Sequence, residues 1–305
     1  MRHVSAEIAS QPECWAKAAQ LAPTVAGLPV PGERVAVVGC GTSWFIAMSY
    51  AALREAAGQG ETDAFAASEF PFSRVAAGRY DRIVAITRSG TTTEVLALLD
   101  QVRGAAEDGA DAPATVRTTA ITGDPRTPIM TAADDVIVLE FADEKSVVQT
   151  RFATTALALL RAHLGEDLTG AVEDARSAIA APLADVLTGA EQFSFLGTGW
   201  TIGLATEAGL KMREAACAWT ESYPAMEYRH GPISITGPNR VAWGFGPLPE
   251  GLDAQIAATG GHLETGALDP MADLIRVQRL AVAIAEARGL DPDQPRHLTR
   301  SVILP

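Results

Sequence analysis

Two kinds of hydrophobic block alternate along this chain. Residues 34–39 (RVAVVG) and 82–87 (RIVAIT) are short apolar runs with no polar alternation, the pattern of strands covered on both faces. Between them apolar residues return every three or four positions, as on one face of a helix. This spacing predicts helices over residues 42–57, 92–106 and 147–164. A further helix is expected around 7–21, ahead of a link through Pro29, Pro31 and Gly32. Residues 62–67, 116–121 and 135–139 complete a first set of strands. Strands alternating with helices imply an α/β fold with a mostly parallel sheet flanked by helices.

After a polar-apolar helical stretch at 165–190 the order restarts. Residues 192–196 and 240–245 read as strands, and 200–217, 253–259 and 271–289 as helices. Local sequence repeats as well. Val38-Gly39-Cys40-Gly41-Thr42 parallels Leu196-Gly197-Thr198-Gly199-Trp200, and Arg54-Glu55-Ala56-Ala57 parallels Arg213-Glu214-Ala215-Ala216. Ser68-Glu69-Phe70-Pro71 then parallels Glu221-Ser222-Tyr223-Pro224. Three matches in one order predict two copies of a single α/β unit related by internal repeat. The second is expected to be shorter, because 261–270 carries little strand-like sequence. The expected divisions are 1–32 (helix and link), 33–165 (first unit), 166–190 (connection), 191–290 (second unit) and 291–305 (tail).

Composition narrows the classes of partner. The net charge is −13, so nucleic acid and anionic membranes are not expected partners. A phosphate can still be held locally by backbone N–H groups at a helix start. Three cysteines without CxxC spacing signal neither a zinc site nor a redox pair and fit a reducing compartment. The first 20 residues lack the apolar core of a signal peptide, and no apolar run reaches the roughly 18 residues of a membrane span. A cytoplasmic protein is the expectation.

Four motifs can carry chemistry. Gly39-Cys40-Gly41-Thr42-Ser43 follows a strand and opens a helix, where glycine lets the backbone approach a ligand and the helix start offers free N–H groups. A tight turn with an N-cap would use the same residues. A dinucleotide fingerprint is the weaker reading, because Trp44 replaces its third glycine. Thr87-Arg88-Ser89-Gly90-Thr91-Thr92-Thr93 packs more hydroxyls into a strand-to-helix turn than capping requires, as a phosphate cradle would. Glu207, Lys211 and Glu214 are spaced four and three apart and so share a helix face. They make either a salt-bridged surface stripe or a carboxylate in a poorly hydrated cleft, able to shuttle a proton. His230, before Gly231-Pro232, is either a loop histidine or a functional one.

At these residues the chain resembles the SIS (sugar isomerase) family, in its pattern nearest to the isomerase half of glucosamine-6-phosphate synthase and to the amino sugar phosphate deaminase/isomerases. The matching blocks, in family order, are 39–43, 87–92, 144–155, 197–214, 221–232 and 293–302. The resemblance implies two SIS-type units and a homodimer with the active site at its interface, with a phosphorylated sugar or amino sugar as substrate and no metal or cofactor. It places Gly41, Thr42, Ser43, Thr87, Ser89 and Thr92 around the phosphate and sugar hydroxyls. Arg88 stands where the synthase has Gln, and Gln149 where it has Ser. Glu214 matches the carboxylate that moves a proton between C1 and C2, Lys211 a helper lysine, and His230 a ring-opening histidine that crosses the dimer interface. In a tail expected to close on the active site, Arg300 lies in the segment where the synthase carries a lysine that condenses with the sugar carbonyl. A guanidinium cannot do so. Met1 is followed by Arg2, without the glutaminase that opens the synthase. The implied activity is that of a phosphosugar isomerase or deaminase. A fructosamine-phosphate deglycase and a non-catalytic sugar-phosphate sensor are the rival readings.

Overall fold

Each uninterrupted apolar run forms a parallel strand, buried along its whole length at Val35–Gly39, Arg82–Thr87 and Gln192–Gly197. The structure, a computed structural model, describes residues 2–107 and 116–304. The chain opens with α1 (His3–Ala9) and α2 (Gln11–Leu21). There follow β1 (Val35–Gly39), α3 (Thr42–Ala56), β2 (Thr62–Ala66), α4 (Phe72–Ala76), β3 (Arg82–Thr87) and α5 (Thr93–Glu107). Next come β4 (Arg117–Thr122), α6 (Ile129–Ala132), β5 (Asp135–Val138), α7 (Arg151–His163), α8 (Thr169–Ala180) and α9 (Asp185–Thr188). The last third holds β6 (Gln192–Gly197), α10 (Thr201–Ala216), β7 (Trp219–Pro224), β8 (Arg240–Phe245), α11 (Leu252–Ala258), β9 (His262–Thr265) and α12 (Pro270–Ala287).

The strands form two parallel sheets, ordered β2-β1-β3-β4-β5 and β7-β6-β8-β9. The compact units built on them are discontinuous. The β1–β5 unit comprises Lys17–Asp143, Arg151–Asp167 and Thr299–Pro305, and the β6–β9 unit Met1–Ala16, Glu144–Thr150 and Leu168–Leu298. In the first, Ala36, Val38, Ile83 and Ala85 of the strands bury against Val95, Leu98 and Leu99 of α5. In the second, Leu196 and Ala242 bury with Tyr228, Leu252 and Ile256, while α10 packs on β6, β7 and α12.

Four expectations need correction. β9 lies in the stretch expected to hold no strand; it pairs with β8 from Val241↔His262 to Gly244↔Thr265. As an edge strand its ladder bonds do not require an apolar run, and HLET has only Leu263 to bury. β7 (WTESYP) is the opposite edge and was likewise hidden by polar residues. The helix expected over 7–21 is two helices that meet at Ser10. The helix expected from 147 starts at Arg151, because 144–150 is a loop held by side chains.

A buried arginine ties β2 to its preceding helix. Arg54, almost wholly buried at the end of α3, donates to the carbonyls of Val30 (2.8 Å), Glu33 (2.9 Å), Gln59 (2.7 Å) and Gly60 (3.3 Å) and to Thr62 Oγ1 (2.8 Å). Arg213, near the end of α10, makes a smaller version, donating to Thr220 Oγ1 (3.0 Å) and to the Thr220 carbonyl (3.3 Å). Arg54→Met would strand the buried Thr62 Oγ1 and four partly buried carbonyls and should cost about 3–5 kcal/mol. Arg213→Met should cost distinctly less, because Arg213 is exposed and water takes its place. Urea unfolding of both variants measures the difference.

Candidate functional site

In the β1–β5 unit the chain leaves β1 toward β2 on one side, and β3 lies on the other. The turns at the carboxyl ends of β1 and β3 therefore diverge and leave a crevice, the usual ligand position in open parallel sheets. Both sequence motifs of this unit fall there. A Cβ on Gly39 would lie 2.6 Å from the Ser43 backbone carbon, so only glycine lets α3 start so close to its strand. Gly90, in the second turn, has φ +63°, and a Cβ there would lie 2.1 Å from Thr127 Oγ1.

The second turn is a hydroxyl network. Thr87 Oγ1 accepts from the Gly90 amide (3.3 Å), and Ser89 Oγ accepts from the amide (3.3 Å) and the hydroxyl (3.1 Å) of Thr91. Thr92 Oγ1 lies 3.5 Å from Ser89 Oγ. The tail joins this network from within the same unit. Arg88 Nη2 donates to the Arg300 carbonyl (2.8 Å), Thr91 Oγ1 pairs with Ser301 Oγ (2.9 Å), and the Thr93 amide donates to the Val302 carbonyl (3.2 Å). The Arg300 guanidinium itself rests on Asp143 Oδ1 at 2.6 Å. Cys40, between the glycines of the first turn, is no nucleophile at neutral pH. Burial, aided by the Glu94 carboxylate, pushes its thiol up to about 11, and the neutral thiol is inert.

The β6–β9 unit holds the charged cluster. Glu207 and Lys211 are each 1% exposed at the side chain and Glu214 is 19% exposed. Lys211 Nζ lies 3.5 Å from Glu207 Oε1 and bonds directly to Glu214 Oε2. Burial works against the lysine's charge, but Glu207, Glu214 and Glu144 outweigh it and hold the ammonium above the usual lysine range. This is a buried ion cluster with one member open to solvent, not a surface stripe. Glu144, also buried, accepts from the Thr150 amide and hydroxyl at 2.7 Å each. Next to Thr150, the Gln149 Oε1 is buried without a hydrogen-bond partner among the described residues, an acceptor that a ligand hydroxyl would satisfy. His230 ends the 3-10 turn Glu227–His230, exposed, with no side-chain hydrogen bond among the described residues.

The structure thus brings Thr87, Arg88, Ser89, Thr92 and Arg300 together in one unit, with Gly41, Thr42 and Ser43 on the neighbouring turn. Glu207, Lys211 and Glu214 come together in the other. Sequence reasoning missed Asp143, Ser301 and Glu144 as members of these networks. Thr91 was legible in the hydroxyl run, but nothing in the sequence marks the contacts that reach across the chain. A cleft of about 780 Å³ bordered by Leu248, Leu263 and Leu268 in the β6–β9 unit holds none of the residues singled out.

No family model matches the chain. It is 28% identical over 326 residues to the glutamine–fructose-6-phosphate aminotransferase of a Nostoc species, a match that covers 88% of this chain and 52% of that protein. The chain therefore spans about half the length of the curated relatives it matches. Among solved structures it resembles a glucosamine-6-phosphate deaminase from Thermotoga maritima (TM-score 0.77, 22% identity, 99% of this chain and 100% of that one). It also resembles a tagatose-6-phosphate ketose/aldose isomerase from Escherichia coli (TM-score 0.76, 16% identity, 98% and 95%). At these identities the structures establish the shared fold.

The ion cluster predicts a pH-dependent stability defect. Lys211→Met takes the buried ammonium away from Glu207 and Glu214 and should cost about 3–5 kcal/mol at neutral pH. The deficit should shrink as the pH falls and protonation relieves the uncompensated carboxylate charge. Chemical unfolding of wild type and variant at several pH values checks both sign and size.

Proposed function

We propose that the chain acts on a phosphorylated ketose, aldose or amino sugar, moving a proton between C1 and C2 as an isomerase or a deaminase. The observation that carries this reading is Glu214, a carboxylate partly open to solvent on a helix where its neighbours are buried and held in a fixed pose by the buried Lys211. A base that must take a proton from carbon and return it needs a fixed position and an accessible oxygen. The lysine ammonium supplies the first without occupying the whole carboxylate.

The remaining roles follow from donor and acceptor chemistry. The hydroxyls of Thr42, Ser43, Ser89 and Thr92, at two helix starts, suit a phosphate. Gln149 offers its unpaired oxygen to a sugar hydroxyl. On an open-chain aldose, Glu214 takes the C2 proton and the electron pair forms the C1=C2 enediolate; O1 gains a proton, and return of the carbon proton to C1 with loss of the O2 proton gives the ketose. On a 2-amino sugar the same transfer gives an imine at C2, which water hydrolyses with release of ammonia. Arg300 cannot attach the sugar covalently, because its guanidinium stays protonated. Similarity to glutamine–fructose-6-phosphate aminotransferases over half their length supports the substrate class. In this reading His230 serves ring opening from a second copy of the chain, so the working unit is a homodimer.

Glu214→Gln keeps size and hydrogen bonding but cannot accept the proton. Exchange of the substrate C1/C2 proton with solvent deuterium, followed by NMR, should slow about 100- to 10,000-fold while phosphosugar binding persists. Exchange at the wild-type rate would leave Glu214 a mere salt-bridge partner. Sedimentation at micromolar protein should give about twice the mass of one chain, and a fully active monomer would end the role given to His230.

A further inference from the structure

We infer that Glu7, on the N-terminal helix α1, is a positioning residue that holds the segment 144–150 in the shape the reaction uses; this rests on the proposed phosphosugar activity. The segment forms no helix or strand, yet Glu144, Ser146, Val148 and Thr150 in it are buried. Buried backbone without regular structure must find its hydrogen-bond partners elsewhere. Its ends are closed by Glu144 on Thr150. Its middle is held by Glu7, whose Oε1 accepts from the Lys145 amide (2.6 Å) and the Ser146 amide (3.4 Å) and whose Oε2 bonds the Ser146 hydroxyl.

Glu7 is in turn anchored through its helix. Asp293 accepts from the His3 amide (2.9 Å) and the Val4 amide (2.7 Å) at the start of α1. The Asp293 carbonyl accepts from the Val147 amide (3.1 Å). Helix α1 and residue 293 thus grip the segment at three consecutive amides, Lys145, Ser146 and Val147. Docking a seven-residue helix does not require this, since Val4 and Ile8 already bury its apolar side. A carboxylate only 4% exposed costs desolvation unless its acceptor sites are filled. Its directed bonds fix backbone geometry as apolar contact does not.

The segment so fixed carries two groups of the site. Gln149 presents the buried oxygen without a partner, and Glu144 contributes to the field that holds the Lys211 charge. A loosened segment would move the first and disturb the second. Misplacement by about 1 Å far from the reacting atoms can cost about 100-fold.

The test uses the full chain, with fructose 6-phosphate and glucosamine 6-phosphate as probes, in wild type, Glu7→Ala and Glu7→Gln. Hydrogen exchange at Lys145 and Ser146 in Glu7→Ala should quicken at least about tenfold, and KM should rise about tenfold with a smaller fall in kcat. Glu7→Gln should recover most of both, because its carbonyl accepts the two amides and its NH₂ donates to Ser146 Oγ. If Glu7→Ala does not fold, Ser146→Ala removes one of the three bonds and should raise KM about threefold. A variant that merely loses folded protein shows a lower apparent kcat at unchanged KM, and this outcome overturns the inference. So does faster exchange with normal turnover. A wild-type chain that neither binds nor converts either sugar overturns the functional reading and, with it, the role of Glu7. Active wild type with normal Glu7→Ala kinetics overturns the role of Glu7 alone.

Discussion

A strand that turns directly into a helix brings its last residue against the helix's first turn, and both units are built around that close approach. A Cβ at Gly39 would meet the Ser43 backbone at 2.6 Å, and one at Gly197 the Thr201 carbonyl at 2.4 Å. Overpacking of this order cannot be relieved by a side-chain rotation, because the obstacle is backbone. With glycine in place, the amides at the start of α3 stand at the carboxyl end of β1, and those of α10 at the end of β6. The crevice in the β1–β5 unit, the hydroxyls that line it and the course of α10 all descend from this steric requirement. The strand orders of the two sheets, β2-β1-β3-β4 and β7-β6-β8-β9, place the two glycines at equivalent points.

What the sequence made legible is what burial makes periodic. The central strands β1, β3, β6 and β8 announce themselves because both faces are covered and, after a polar first residue in β3, β6 and β8, the residues are apolar or small. The edge strands β7 and β9 do not, since an edge is stabilised by its ladder on one side and tolerates Glu, Ser and His. The hydroxyl turn and the Glu207-Lys211-Glu214 spacing were readable because each lies within one stretch of chain. The grip of Glu7 on Lys145 and Ser146, and that of Asp143 on Arg300, join residues 138 and 157 positions apart. No local pattern encodes such pairs.

The charged cluster shows how a buried lysine can be tolerated. Lys211 is fully surrounded, and desolvation alone would drive it toward neutrality. Two carboxylates on its own helix and a third from the loop reverse that tendency. The ammonium in turn limits the repulsion among three acidic groups. Charge and position are coupled here: the lysine remains charged because the glutamates are placed, and the glutamates remain placed because it is charged.

The clamp on α1 bears on the order in which the chain can acquire structure during synthesis. Helix α1 precedes the groups it binds, and the Asp293 carboxylate that accepts from its Val4 amide lies 289 positions further along the chain. The segment it grips arrives 138 positions after Glu7. A seven-residue helix is not stable alone in water, so α1 must wait, unformed or fraying, until Asp293 emerges. Closing loops of this length is slow and is repaid only when the last contact is made. Helix α1 therefore settles late, and the segment carrying Gln149 and Glu144 takes its final shape only once Asp293 has been translated.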